Sequence, residues 1–222
     1  PEVIAEKKSV QTYFTSIIAQ YVSKEHDVMD LGCGPGGFLL AASPLCKSIT
    51  GYDLSVQFVK ECEEVIDRRR LDNAKVFFAD ATCLPAIAEF FDVVIMVDVL
   101  HHLPDPEAVL NEVNRVLKPG GRLIVFEPNK LNPLLYIMCV LDRNEWGLLR
   151  MGRKAFYKNL LAKYFQVEQV EYNGLLIGPS SKLCLSITDF LHSGTSSRIL
   201  GWLNPKIVVV AVKKEMVVSN ER

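Results

Sequence analysis

Residues 28–42 constrain the fold more than any other stretch of this chain. An apolar run, Val28-Met29, leads through Asp30-Leu31 into a turn with glycines at 32, 34, 36 and 37, and a second apolar segment, Phe38 to Ala42, follows at once. That order reads as a buried strand, a tight turn and the start of a helix. Glycine suits such a turn because it accepts positive φ and leaves the backbone bare for a ligand to approach. The N–H groups of the turn and the N-terminus of the helix then offer partial positive charge to whatever lies above them.

A second signal narrows the ligand. Ile49-Thr50-Gly51-Tyr52-Asp53-Leu54-Ser55 reads as a short strand ending in an acid, 19 residues beyond Gly34. An acid at the end of strand 2 is placed to bind the ribose hydroxyls of a nucleoside. Two nucleoside ligands compete, a nicotinamide dinucleotide and S-adenosylmethionine. Gly32, Gly34 and Gly36 follow a G-x-G-x-G spacing, and Gly37 formally completes the dinucleotide pattern. Asp30 argues against the dinucleotide, because its carboxylate would face a pyrophosphate; it suits a ligand that carries an ammonium group.

Further along, apolar runs and helical patterns alternate. A helix is expected over 2–23, strand 1 over 27–31, strand 2 over 48–53, and a helix over 56–70 with Ser55 as its N-cap. Strand 3 is expected at Lys75–Ala79, strand 4 at Phe91–Val97, a helix from Asp105 to Leu117 and strand 5 at Arg122–Glu127. Such alternation implies a parallel sheet covered by helices on both faces. After it come an insertion beginning at 128, a helix over about 152–163, strand 6 at Gln166–Glu171, a long apolar-rich connection over 174–204 and a last strand at Ile207–Lys213. The expected architecture is a three-layer, doubly wound α/β fold in one domain, 1–222, with 128–155 and 174–204 as lid or cap insertions.

The net charge of −1 provides no basic field to hold a nucleic acid. Six scattered cysteines (33, 46, 62, 83, 139 and 184) form no C-x-x-C pair, so reduced thiols, a cytoplasmic setting and no zinc site are expected. Arg68-Arg69-Arg70 falls in the last turn of a helix, where cations complement the helix dipole.

The sequence Val28-Met29-Asp30-Leu31-Gly32-Cys33-Gly34-Pro35-Gly36 resembles motif I of the class I S-adenosylmethionine-dependent methyltransferases, and the resemblance extends over most of 28–127. It implies a mostly parallel seven-stranded sheet with an antiparallel last strand, and a set of cofactor-binding positions. Asp30, Gly32, Cys33, Gly34 and Gly36 match the glycine motif. Asp53, with Leu54, matches the ribose site. Asp80 and Ala81, in Phe77-Phe78-Ala79-Asp80-Ala81-Thr82, match the adenine site. Val97 and Asp98, at the end of strand 4, match the methionine-lining segment. Leu117-Lys118-Pro119-Gly120-Gly121 matches the glycine turn before strand 5, and Tyr13 and Phe14 would close over the cofactor.

Methyl transfer from a sulfonium needs acceptor and methyl held close and in line, and a base where the acceptor proton is weakly acidic. His102 and His101, just past strand 4, are the candidate bases, with His102 preferred, because imidazole titrates near neutrality. Glu127, ending strand 5 at the same sheet edge, is the candidate to orient base or acceptor. An Asn-Pro-Pro-Tyr motif is absent where strand 4 ends, which favours a small-molecule acceptor. The segment also loosely resembles ubiquinone-pathway O-methyltransferases, whose acid-x-x-acid-His set has a metal role; here the second acid is missing and no metal is expected. Apolar residues of the insertions, among them Leu134, Tyr136, Ile137, Trp146, Leu175, Phe190 and Trp202, point to a hydrophobic or lipid-linked acceptor met at a membrane surface, with O-methylation favoured. A non-catalytic cofactor-binding subunit and a nicotinamide-dependent oxidoreductase remain as alternatives.

Overall fold

The computed structural model describes residues 8–173 and 200–214. Its frame is built on β1 (Asp27–Leu31), whose five residues are all buried. Parallel partners flank it: β2 (Ser48–Asp53) on one side and β4 (Phe91–Val97) on the other. Outside β2 lies β3 (Ala74–Phe78); outside β4 lies β5 (Leu117–Pro128). The sheet is completed by β6 (Phe165–Asn173) and β7 (Lys206–Lys213), in the order β3-β2-β1-β4-β5-β7-β6. Only β7 runs against its neighbours, antiparallel to both β5 and β6.

Successive strand residues point to opposite faces, and each face has its own core. Val28, Val93, Ile95, Ile124, Phe126, Val208 and Val210 meet α1 (Lys8–Ile18), α2 (Gly37–Ala42) and α3 (Val56–Arg69) through Ile18, Leu39, Val59 and Cys62. Met29, Leu31, Val94, Met96, Leu123, Val125 and Val209 meet α4 (Pro106–Val116) and α7 (Lys154–Ala162) through Val109, Leu110, Val113, Tyr157 and Leu161. Strands buried on both faces explain the near-continuous apolar runs of the sequence.

Local chemistry starts the helices where the sequence indicates. Ser55 caps α3, its hydroxyl accepting from Phe58 N–H, and Asp105 caps α4 by accepting from Ala108 N–H at 3.0 Å. Each such cap contributes about 1 kcal/mol. Between β5 and α7 the chain forms two further helices, α5 (Pro133–Leu141) and α6 (Trp146–Met151).

Some boundaries differ from expectation. Within the described residues the first helix is Lys8–Ile18, not a helix to 23, because its last turn tightens: Gln20 N–H donates to Ile17 O and Tyr21 N–H to Ile18 O. The strand expected at Arg122–Glu127 is longer at both ends. Leu117 already pairs with Phe91, and residues 118–121 form an irregularity before Arg122 pairs with Val93. Lys118 secures that arc, its ammonium donating to both Asp92 carboxylate oxygens at 2.8 Å. Strand 6 is also longer, Phe165–Asn173. Most of the 174–204 connection lies outside the described residues; its end forms a short 3-10 turn, Gly201–Leu203.

Phe14, expected near the cofactor, packs in the core: its ring meets Phe38 and Phe126 edge-on at 5.6 and 5.8 Å. The Tyr13 side chain lies outside what is described. Phe126 is 1% exposed and central to this cluster. Phe126→Ala is therefore expected to destabilise the fold by roughly 3–5 kcal/mol. Urea unfolding followed by circular dichroism measures it, and a loss below about 1 kcal/mol would show that the cluster relaxes around the gap.

Candidate functional site

The glycine turn is built by backbone geometry that side chains resist. Gly32 has φ of 73°, and a Cβ there would lie 2.4 Å from a Val99 methyl. Gly34 has φ of 51°, and a Cβ there would project into open space, with nothing within 4 Å. The turn is tied to β2: Gly32 and Cys33 N–H groups both donate to Tyr52 O, at 2.7 and 3.1 Å. Asp53 closes the arrangement, one carboxylate oxygen accepting from Gly34 N–H at 2.9 Å and the other from Ser55 N–H at 2.8 Å.

Above the turn lies a cavity of about 540 Å³ at the carboxyl ends of the parallel strands, where open α/β sheets place their ligands. Gly32, Gly34, Asp53, Leu54, Asp80, Ala81, Val97, Asp98 and His102 all line it. Asp80 is shaped by its own turn, accepting from Thr82 N–H and Oγ1 at 2.8 Å. Those bonds hold its carboxyl below the usual range. Leu31, Val99, Leu103 and Val109 supply an apolar wall.

Three of the expected cofactor positions lie beneath this lining. Gly36 serves as the left-handed N-cap of α2. Cys33 is buried against Gly51. Asp30 is 1% exposed, and its Oδ2 has no hydrogen-bond partner. Burial, with repulsion from Asp53, raises its pKa to about 8, only partly offset by a bond from Leu39 N–H. A buried carboxylate oxygen lacking a donor, beside a bare glycine turn and a ribose-type acid, fits a nucleoside ligand that carries a cation. A pyrophosphate would worsen Asp30's position.

The loop after β4 is held by buried charge. Asp98 adopts φ of 57°, in the left-handed region that favours glycine. Lys206, at the start of β7, donates to both of its carboxylate oxygens. Next, Glu127 is fully buried. Its Oε1 accepts from Val99 and Leu100 N–H at 2.9 and 2.7 Å, and its Oε2 accepts from His101 Nδ1–H at 2.7 Å and Tyr157 OH at 3.1 Å. The other nitrogen of His101 meets Glu145 Oε2 at 3.2 Å. Burial alone would lower the His101 pKa, but Glu127 above all, then Asp98 and Glu145, raise it overall. A carboxylate on each nitrogen favours the charged form of the ring.

The candidate catalytic residues thus divide. His102 faces the cavity, its side chain 44% exposed, and its ring lies 3.9 Å from that of His101. His101 and Glu127 do not line the cavity; both are spent on holding the loop. Glu145 reaches both histidines, lying 4.0 Å from His102 Nε2. One atom each from His101, His102 and Glu145 lies within 4.8 Å of the others, a grouping with the right donors for a metal ion. Among the described residues, none of 128–155 lines this cavity. They pack beside it: at Gly147 a Cβ would lie 1.8 Å from the His101 carbonyl oxygen, so only glycine admits that approach. Glu145, Tyr157 and Lys206 were not anticipated from sequence, since none carries a local motif.

Residues 29–125 match a family model described as a methyltransferase domain. The sterol 4-C-methyltransferase of Caenorhabditis elegans is 30% identical over 112 residues, covering 50% of this chain and 34% of that protein. A ubiquinone biosynthesis O-methyltransferase of Idiomarina loihiensis is 25% identical over 173 residues, covering 73% of this chain and 70% of that protein. Seven of the curated relatives it matches are spanned over about half of their length or less. Among solved structures, a SAM-dependent methyltransferase from Aquifex aeolicus has the same fold, with 15% identity, 95% of each chain covered and a TM-score of 0.68.

Asp30 yields a pH test. A buried acid whose folded pKa is raised above its unfolded value costs nothing below the unfolded value near pH 3.8 and progressively more up to the folded value near 8. Asp30→Asn is therefore expected to gain stability on the native protein as pH rises from 4 to 8, and then to level off. Tm differences measured across that range check it. A difference independent of pH would show that Asp30 does not titrate there.

Proposed function

We propose that this chain, whose residues 29–125 match a methyltransferase domain, is a class I, S-adenosylmethionine-dependent methyltransferase that methylates a small hydrophobic or lipid-linked acceptor, preferentially on oxygen. The observation that carries this reading is His102: it is the one candidate base that faces the cavity, beside the strand 4 residues that the family uses for the cofactor.

Asp53 would hold the ribose hydroxyls and Asp80, with Ala81 N–H, the adenine. Gly32 and Gly34 would leave room for the ligand backbone, and the Asp30 carboxylate would balance its ammonium. When bound, S-adenosylmethionine supplies an electrophilic methyl group on a sulfonium. The chain's own task is then to exclude water, align the acceptor and take its proton. His102 would take that proton from an acceptor hydroxyl, and Glu145, 4.0 Å from its Nε2, would stabilise the imidazolium that results. His101 and Glu127 are positioning residues, fixing the loop that carries His102. Asp98, whose carboxylate is held by Lys206, lines the cavity from the same loop.

The apolar wall of Leu31, Val97, Val99, Leu103 and Val109 favours a hydrophobic acceptor. So do relatives named for a sterol and for ubiquinone biosynthesis. The net charge of −1 gives no support to a nucleic-acid substrate. No metal is assigned a role, because the ligand atoms of His101 are already engaged by Glu127 and Glu145.

Thermal unfolding with S-adenosylhomocysteine and with NAD tests the cofactor. At about 100 times its dissociation constant a ligand adds roughly 2.7 kcal/mol, or about 5–10 °C for a chain of this size. The shift is expected with the adenosyl ligand and not with NAD; the reverse would overturn the reading. His102→Ala is expected to keep the full S-adenosylhomocysteine shift while losing about 10²–10⁴-fold in kcat. A chelator should leave native turnover unchanged. Full turnover in the variant would remove His102 as the base.

A further inference from the structure

We propose that the exposed face of α5, together with the arginines around it, docks this protein onto an anionic phospholipid bilayer. The proposal takes its purpose from the reading of a hydrophobic or lipid-linked acceptor, but its geometry stands apart from that reading.

α5 contains no charged residue. Asn132 and Cys139 are buried beneath it, whereas Tyr136, Ile137, Val140 and Leu141 are exposed, Leu141 by 80%. Those four positions share one side of the helix, so the solvent face is the apolar one, the reverse of an ordinary surface helix. At nine residues the helix is roughly 13 Å long, far short of a bilayer. Among the described residues no helix is long and apolar enough to cross a membrane. The geometry fits a helix lying in the interface.

Two further features match a lipid surface. The only two tryptophans of the chain, Trp146 and Trp202, are both exposed. Trp146 follows α5 in the chain, and Trp202 sits beside its start, where Asn129 and Asn132 side chains donate to Trp202 O and Leu203 O. Tryptophan and tyrosine favour the headgroup layer. The second feature is charge. Residues 130–154 hold Lys130, Arg143, Arg150, Arg153 and Lys154 against Asp142 and Glu145, a local excess of three positive charges in a chain whose total is −1. Glu145 is turned inward to His101, while Arg143, Arg150 and Arg153 are exposed. Arg143 lies 5.8 Å above the Trp146 ring. Basic groups bordering an apolar face complement anionic headgroups. A second copy of the chain is a poorer occupant, because a twofold contact would bring the same arginines toward each other.

Docking here would matter to the site. The α6 helix, which follows the patch, touches the His101 carbonyl through Gly147. The helix next to the patch thus borders the loop that presents His102 to the cavity.

The test uses the full chain with vesicles of phosphatidylcholine alone and of phosphatidylcholine mixed with phosphatidylglycerol. Co-sedimentation is expected with the mixed vesicles, weakening as salt rises, with a blue shift of the fluorescence of Trp146 and Trp202. The pair Ile137→Asp and Leu141→Asp should lower binding at least about tenfold, as should Arg150→Glu with Arg153→Glu. An unchanged S-adenosylhomocysteine shift certifies that each variant is folded. The proposal is overturned by no sedimentation with mixed vesicles, by binding that the Asp variants leave intact, or by concentration-dependent dimers in solution that those variants dissolve. Vesicle binding without methylation of any lipid-phase acceptor would keep the surface and sink the acceptor reading; methylation of such an acceptor from detergent, without vesicle binding, would do the opposite.

Discussion

The carboxylate of Glu127 is the constraint on which the functional half of this molecule rests. A buried anion is tolerable only when its lone pairs are filled, and here four donors fill them, from Val99, Leu100, His101 and Tyr157. These come from the loop after β4 and from α7, so one side chain at the end of β5 fastens three parts of the fold to one point. Removing the acid would leave two backbone N–H groups, an imidazole and a phenol without their acceptor. The burial of Tyr157, whose hydroxyl pKa is pushed up by desolvation and by Glu127 itself, belongs to the same arrangement. What the loop gains is a fixed direction for His102, the neighbour that stays outside the network and faces the cavity.

On the other side of the cavity the logic is reversed. There Asp30 is buried with an oxygen unsatisfied, and its carboxyl tends to the neutral form. A ligand that brings a positive charge would relieve that condition, so part of the affinity is stored in the free protein as discomfort. Asp53 prepares the site differently: its hydrogen bonds to Gly34 and Ser55 set both turn and carboxylate before any ligand arrives. Pre-organised groups lose less entropy on binding.

Much of this was legible in the sequence because it is local. The glycine turn, the strand 2 acid and Asp80-Ala81 each lie within a few residues of a strand end, and strand ends are visible as the close of an apolar run. The parallel alternation followed from the same rhythm, and the seven strands with an antiparallel last one from the family resemblance. What stayed hidden depends on pairs far apart in the chain. Glu145 meets His101 across 44 residues, and Lys206 meets Asp98 across 108. No periodicity announces such a meeting. His101 and His102 look alike in sequence, and only the short 3-10 turn of residues 100–102 sends one inward and the other to the cavity. Glu127 was legible as important but not in its task, since position at a strand end does not tell whether a carboxylate turns toward solvent or core. The helix after β5 was visible as apolar sequence, but which side of it would be covered was not.

The placing of β7 has a consequence for how such a chain comes to work. Later in sequence than β6, it lies between β5 and β6 in the sheet, so β6 has no sheet neighbour until β7 arrives. Its first residue, Lys206, is also the partner of Asp98. During synthesis, which exposes the N-terminal parts first, the cofactor side of the domain can gather early around β1 and β2. The strand that locks Asp98 enters last. A chain interrupted before residue 206 would thus hold a nearly finished nucleotide shelf with no settled wall opposite it. The late strand makes the anchoring of the Asp98 loop conditional on completeness, a form of proofreading by topology.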